Sequence, residues 1–67
     1  MNENIIAKNL RDIRGNKTQG EMAEILGVTT SAVTNYECGT RIPRDETKRA
    51  YAKFSGKTVD EIFFDQE

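Results

Sequence analysis

The sequence contains no histidine and only one cysteine among its 67 residues. Histidine is the side chain that most often serves as a general base, a metal ligand or a pH switch near neutrality, so these roles lose their usual carrier. Because Cys38 has no second cysteine to pair with, an internal disulfide and a multi-cysteine zinc site are excluded. We therefore expect no enzyme activity, no metal site and no cofactor.

Long apolar runs are also missing. No stretch approaches the roughly 20 apolar residues that a membrane span needs, and the first residues lack the basic and apolar regions of a signal peptide. A single unpaired cysteine fits a reducing compartment. The sequence therefore predicts a cytoplasmic protein that does not contact membranes.

The charge is nearly balanced, with 10 basic and 11 acidic residues and a net charge of −1. A strongly basic composition, which is the clearest sign of a nucleic-acid binder, is absent. The distribution is more informative, because residues 28–36 carry no charge in a chain that is 31% charged. An acid-free segment of this kind does not repel phosphate groups.

Five glycines and one proline divide the chain into pieces that fit only short helices. No segment alternates apolar and polar residues as a strand does. Apolar spacing and capping residues instead predict an all-α fold of five short helices in one domain, residues 1–67, with Asn2 or Asn4 as the first cap. The first helix runs from about Asn4 to Arg14, and the second opens at Thr18 and ends at Leu26. The third begins at Thr30 and is ended by Gly39, the fourth begins at Asp45 and stops at Gly56, and a short fifth helix carries Val59, Ile62 and Phe63.

Helical periodicity also assigns faces to these helices. The inward positions include Met22, Ala23, Ile25 and Leu26 in the second helix, Ala32 and Val33 in the third, and Ala50, Tyr51 and Phe54 in the fourth. Phe63 and Phe64 are adjacent and cannot both face one core, so Phe64 either marks a dimer surface or folds back over the first helix. Cys38 is expected to be a partly buried, inert thiol rather than a reactive one.

Only three residues, Gly27, Val28 and Thr29, separate the second and third predicted helices. Such a turn makes two helices cross at about 90–120°, with Gly27 in a left-handed conformation, Val28 filling the angle and Thr29 capping the third helix. The third helix then projects and fits the DNA major groove, which is about 12 Å wide. Asn35 is suited to bidentate contact with adenine, and threonine methyl groups to contact with thymine.

The residues from Thr18 to Pro43 resemble the helix-turn-helix of the phage repressor/Cro and XRE-type bacterial regulators. The resemblance rests on the capping pattern at Thr18, the turn at Gly27, and Glu37, Gly39 and Pro43 in order. It implies a lambda-repressor-like DNA-binding domain with its helix-turn-helix motif at about residues 19–38. The expected function is that of a sequence-specific transcriptional regulator, a homodimeric repressor that occupies a palindromic operator in double-stranded DNA. The alternative is an antitoxin or anti-repressor-like subunit that uses the same fold to bind a regulatory protein partner.

The resemblance also implies roles for individual residues. Gln19 matches a residue that contacts phosphate and braces the recognition helix, although it could serve only to satisfy the start of its own helix. Arg14 and Glu37 match a buried ion pair that joins the first helix to the end of the third. The remaining candidates for DNA contact are alternatively solvated surface residues, namely Lys17, Thr29, Thr30, Ser31, Thr34, Asn35, Arg41 and Arg44.

Two regions depart from the family pattern. The junction formed by Gly15, Asn16 and Lys17 is short, which shifts Lys17 relative to phosphate. Ser55 and Lys57 occupy positions where the family usually has apolar residues. We therefore expect weaker packing between the fourth and fifth helices.

Overall fold

The computed structural model describes residues 4–64, and every regular element in this range is an α-helix. The prediction of an all-α fold with five short helices is confirmed for this part of the chain. The helices are α1 (Ile5–Arg14), α2 (Gln19–Leu26), α3 (Thr30–Cys38), α4 (Asp45–Ser55) and α5 (Val59–Phe63). None of these helices has the length and apolarity that a membrane span requires.

Side-chain caps determine where the helices begin. The Asn4 side chain accepts a hydrogen bond from the Ala7 N–H at 3.0 Å, so Asn4 caps α1, whereas Asn2 lies outside the described residues. Thr18 and Thr58 each form a complete capping box with the glutamate three residues later. Because each cap contributes about 1 kcal/mol and depends only on neighbouring residues, these helix starts were predictable from the sequence.

The hydrophobic core lies where the five helices meet. Tyr51 is fully buried at its centre, and its ring makes edge-to-face contacts with Tyr36 and Phe63 at centroid distances of 6.4 and 6.2 Å. This geometry is favourable for aromatic pairs, and it joins α3, α4 and α5. The other buried apolar residues of this core are Leu10, Met22, Ala23, Leu26, Ala32, Val33 and Ile62.

Two of the predicted core positions are wrong. Ile25 is 45% exposed and Phe54 is 37% exposed. On α2, the buried residues Met22, Ala23 and Leu26 define a narrow face, and Ile25 lies at its edge. On α4, Phe54 lies near the helix end, where the neighbouring residues do not cover its ring.

That uncovered region is a surface groove between α1, α4 and α5, with a volume of about 390 Å³. Ser55 and Lys57 lie along it. A hydroxyl and a charged side chain bury less apolar surface than the apolar residues that the family usually has at these two positions. The other lining residues are Asn9, Asp12, Ile13, Phe54 and Ile62.

Candidate nucleic-acid interface

The turn between α2 and α3 has the predicted form. Gly27 adopts a left-handed conformation with φ of +75°, and its N–H bonds to the Ala23 carbonyl. Val28 is half-buried and packs against the core. The Thr29 hydroxyl then accepts a hydrogen bond from the Ala32 N–H at 3.0 Å, so α3 begins at once after the turn. The chain thus joins two separate helices through three residues, and residues 19–37 do not form one straight rod.

The outward face of α3 is polar and uncharged. Thr30 and Ser31 are exposed at its first turn, and Thr34 and Asn35 are half-buried one turn later. Glu37 is the one acidic residue of α3, and its side chain is buried. The helix therefore presents hydroxyl and amide groups to solvent without a negative charge among them.

Four side chains are joined in series by hydrogen bonds between α1, α2 and α3. We call this series the polar chain, and its members are Arg14, Glu37, Gln19 and Thr34. Arg14 donates from Nε and Nη2 to the two carboxylate oxygens of Glu37, at 2.8 and 3.0 Å. The predicted pair between α1 and the end of α3 is therefore present, and the Glu37 side chain is only 2% exposed. The hydrogen bond to Glu37 raises the pKa of Arg14 above its ordinary value.

The polar chain continues from Glu37 to the outward face of α3. Gln19 donates from Nε2 to Glu37 Oε1 at 3.0 Å, and the Thr34 hydroxyl donates to Gln19 Oε1 at 2.7 Å. Gln19 therefore braces α3 from the start of α2. The same amide has one further N–H, which the Glu37 bond does not use.

Two contacts near the polar chain were missed in the sequence. Arg11 Nη1 donates to the Glu37 backbone carbonyl at 2.7 Å, close to the end of α3. The Thr40 hydroxyl donates to the Asn35 carbonyl at 3.2 Å and lies 3.4 Å from Asn35 Oδ1. Arg11 precedes Arg14 by three residues and so shares its helix face, which is the signal that could have identified it.

The predicted cationic residues lie in different surroundings. Arg41 and Arg44 are exposed, and both border a groove of about 440 Å³ that Thr29 also lines, next to the start of α3. Lys17 is exposed as well, but its ammonium group lies 6.0 Å from the centre of the Phe54 ring, beside the groove between α1, α4 and α5. The structure therefore brings the two arginines close to the start of α3 and directs Lys17 toward α4.

Phe64 and Cys38 complete the set of predicted residues. Phe63 is buried while Phe64 is 59% exposed, with the Lys48 ammonium 5.4 Å from its ring centre. This exposure does not fit the alternative that Phe64 folds back over the first helix. Cys38 is exposed, so the expectation of a partly buried thiol is wrong. It is the last residue of α3.

Within residues 4–64 no group of three or more acidic or cysteine side chains is placed to hold a metal ion. A protein-family model described as helix-turn-helix matches residues 8–62, which is most of the chain. No curated protein and no solved structure gives a significant match. With this match and the helix-turn-helix geometry of α2 and α3, the chain belongs to the helix-turn-helix family of XRE-type, Cro/CI-like DNA-binding regulators.

Proposed function

We propose that this chain is a dimeric, sequence-specific repressor that acts by occupying a palindromic operator in double-stranded DNA. The observation that supports this proposal best is the outward face of α3, which exposes Thr30 and Ser31 while the one acidic residue of that helix is buried. In this proposal Thr30, Ser31, Thr34 and Asn35 contact base edges in the major groove. Hydroxyl and amide groups are suited to those edges.

Contacts with phosphate would hold the helix in position. Arg41 and Arg44 border the groove that Thr29 also lines at the start of α3, and the unused N–H of Gln19 together with Thr29 adds neutral contacts near helix starts. Lys17 reaches phosphate in this proposal only by leaving the Phe54 ring. With so few cations in each subunit, two subunits on one operator give the binding that one subunit lacks.

Dimerisation is therefore part of the proposal, with Phe64 as the candidate contact. A large exposed apolar side chain is a common feature of association surfaces. Two recognition helices related by a twofold axis would enter major-groove faces about one helical turn apart. The bound dimer would exclude polymerase, with the whole chain, residues 1–67, acting as one cytoplasmic DNA-binding domain.

Selection of bound sequences from random DNA tests the proposal directly. We expect enrichment of a palindromic site, with two half-sites about one helical turn apart. Affinity for that site should fall linearly on a log–log plot against salt. If titrations show no saturable binding that survives competitor DNA, the proposal is wrong.

Two variants separate base contacts from phosphate contacts. Asn35→Ala should reduce the affinity for the selected site relative to random DNA, because it removes an amide that contacts bases. Arg41→Ala should weaken binding to both DNAs alike and lower the salt slope by about one. An equal loss on both DNAs with Asn35→Ala would remove Asn35 from base recognition.

A second function, binding of a regulatory protein as an antitoxin or anti-repressor-like subunit, is favoured by the exposed Phe64 and by the groove between α1, α4 and α5. A partner that co-purifies in stoichiometric amount and stays bound at high salt would support this function. Loss of that partner with Phe64→Ser, while DNA affinity is kept, would assign the contact to Phe64. One protein can serve both functions as long as the partner and the second subunit do not occupy Phe64 at the same time.

A further inference from the structure

The hydroxyl proton of Thr34 is already used inside the protein. Its Oγ1 lies 2.7 Å from Gln19 Oε1 and 3.1 Å from the Thr30 backbone carbonyl. Both neighbours are carbonyl oxygens, which only accept hydrogen bonds. The single proton of the hydroxyl therefore points inward, whichever of the two oxygens receives it.

The orientation of the Gln19 amide is fixed as well. Its Nε2 lies 3.0 Å from Glu37 Oε1, and that carboxylate is paired with Arg14. An ionised carboxylate only accepts hydrogen bonds, so the amide nitrogen must face Glu37 and the amide oxygen must face Thr34. Reversing the amide would place oxygen against oxygen at Glu37, which is buried and has no access to solvent to relieve the repulsion.

Each bond of the polar chain thus determines the direction of the next, from Arg14 to Thr34. We infer that Thr34 presents to DNA an oxygen that only accepts, and that it recognises an amino group, adenine N6 or cytosine N4, in the major groove. Guanine N7 and O6 and thymine O4 are acceptors, so this oxygen cannot bond to them. The inference rests on the proposed DNA-binding function and restricts it at one position of each half-site.

Thr30 and Ser31 differ from Thr34 in this respect. Both are exposed, and no hydrogen bond within residues 4–64 fixes the direction of their hydroxyl protons. Such hydroxyls rotate to donate or to accept and so tolerate several bases. The polar chain therefore makes Thr34 a more selective residue than its two neighbours, although all three carry the same functional group.

A scan with base analogues tests the inference on the site obtained by selection. Each adenine is replaced by purine, which lacks the 6-amino group, and each cytosine by pyrimidin-2-one, which lacks the 4-amino group. We expect one position per half-site at which this loss weakens wild-type binding by about 2- to 10-fold, the value of one hydrogen bond. Thr34→Val should show no such loss at that position, whereas Thr34→Ser should retain it.

The comparison of variant and analogue forms a double-mutant cycle, so the effect of weaker base pairing cancels. Thermal unfolding checks the fold of each variant, and Thr34→Ala provides the same comparison with a better helix former if the valine variant is unfolded. Thr30→Val is the matched control, and it should leave the amino-group effect at the Thr34 position unchanged.

Two results would overturn the inference while leaving the proposed function intact. In the first, the protein binds the selected site, but removing a base amino group at any position weakens binding by the wild type no more than it weakens binding by Thr34→Val. In the second, Thr34→Val weakens the base preference at one position of the half-site, but binding of the wild type at that position depends on an oxygen of guanine or thymine. Failure to select any site would instead contradict the proposed function itself.

Discussion

Helix α1 contacts its neighbours in two different ways. Toward α3 it is joined by directed polar contacts, with Arg14 bonded to the Glu37 carboxylate and Arg11 to the Glu37 carbonyl. Toward α4 and α5 it borders the groove of about 390 Å³, and Asn9 donates one hydrogen bond across to the Ile62 carbonyl at 3.1 Å. The directed hydrogen bonds of α1 lie on the side that faces α3, and its looser packing lies on the side that faces α4 and α5.

Breaking the ion pair should produce the largest effect. Arg14→Met removes both charge-assisted bonds and leaves the Glu37 carboxylate buried without its cation. An uncompensated buried charge costs about 3–5 kcal/mol, so the free energy of unfolding should fall by about that amount. Urea denaturation monitored by circular dichroism measures it.

The control is the exposed pair on the same helix, Lys8 and Asp12, whose charged atoms lie 3.0 Å apart. Lys8→Met should change the free energy of unfolding by less than about 1 kcal/mol, because solvent screens exposed pairs. If both substitutions lower the free energy of unfolding by a similar amount, burial of Glu37 does not make its pair with Arg14 more important than an exposed pair.

Two glycines at helix ends provide the next comparison. Gly39 ends α3 with φ of +81°, and a Cβ added there would lie 2.8 Å from Asn4 Nδ2, on the side chain that caps α1. Gly39→Ala should therefore cost about 1 kcal/mol for the left-handed conformation and about 1 kcal/mol more for the disturbed cap.

Gly56 ends α4 with a similar φ of +77°, but a Cβ there would meet no atom within 4 Å. Gly56→Ala should cost only the conformational part, about 1 kcal/mol. Thermal unfolding of both variants measures the difference. Equal losses would show that the close approach of Asn4 to Gly39 does not contribute to stability.

The helix ends were predictable because their causes are local. Thr18 and Glu21 cap each other within one turn, and Gly27 ends α2 whatever the rest of the fold does. The Arg14–Glu37 pair was available only from the family resemblance, since no local pattern connects residues so far apart along the chain. Arg11 was missed because its acceptor is a backbone carbonyl, which every residue possesses.

Burial was harder to predict than helix position. Ile25 and Phe54 are apolar and fall near the correct helical faces, yet both are exposed. Thr47 was not predicted to be inside, yet it is buried. Whether a side chain is covered depends on what the neighbouring helices bring to it, and Ser55 and Lys57 bring little to Phe54.

An apolar side chain in the groove should strengthen the weaker side of α1. Lys57→Leu would add aliphatic surface next to Ile13 and Phe54. Burial of about 40 Å² of apolar surface stabilises by roughly 1 kcal/mol, so the Tm should rise by several degrees. The control is Lys53→Leu, an exposed position on α4 that does not line the groove, which should give no such gain. A Tm that rises equally in both variants would show that loss of positive charge, rather than packing, is the cause.

The smallest expected effect concerns Tyr51. Its ring packs between Tyr36 of α3 and Phe63 of α5, so it connects the two sides that the comparison above separates. Its hydroxyl is buried and has no hydrogen-bond partner among residues 4–64. An unpartnered buried hydroxyl loses its bonds to water on folding. Tyr51→Phe should therefore change the free energy of unfolding at pH 7 by between zero and a gain of about 1 kcal/mol.

High pH enlarges this difference in a known direction. Burial, together with the negative charge of Glu37, raises the pKa of Tyr51 in the folded protein. The unfolded chain ionises at the ordinary tyrosine value of about 10, so above that pH the wild type loses stability that Tyr51→Phe keeps. Both proteins retain Tyr36, so the difference reports on Tyr51 together with its interaction with Tyr36. Urea unfolding at pH 7 and at about pH 10.5 measures the difference in the free energy of unfolding between the two proteins. If Tyr51→Phe is less stable than the wild type at pH 7, the hydroxyl is hydrogen-bonded, as it would be to a buried water molecule.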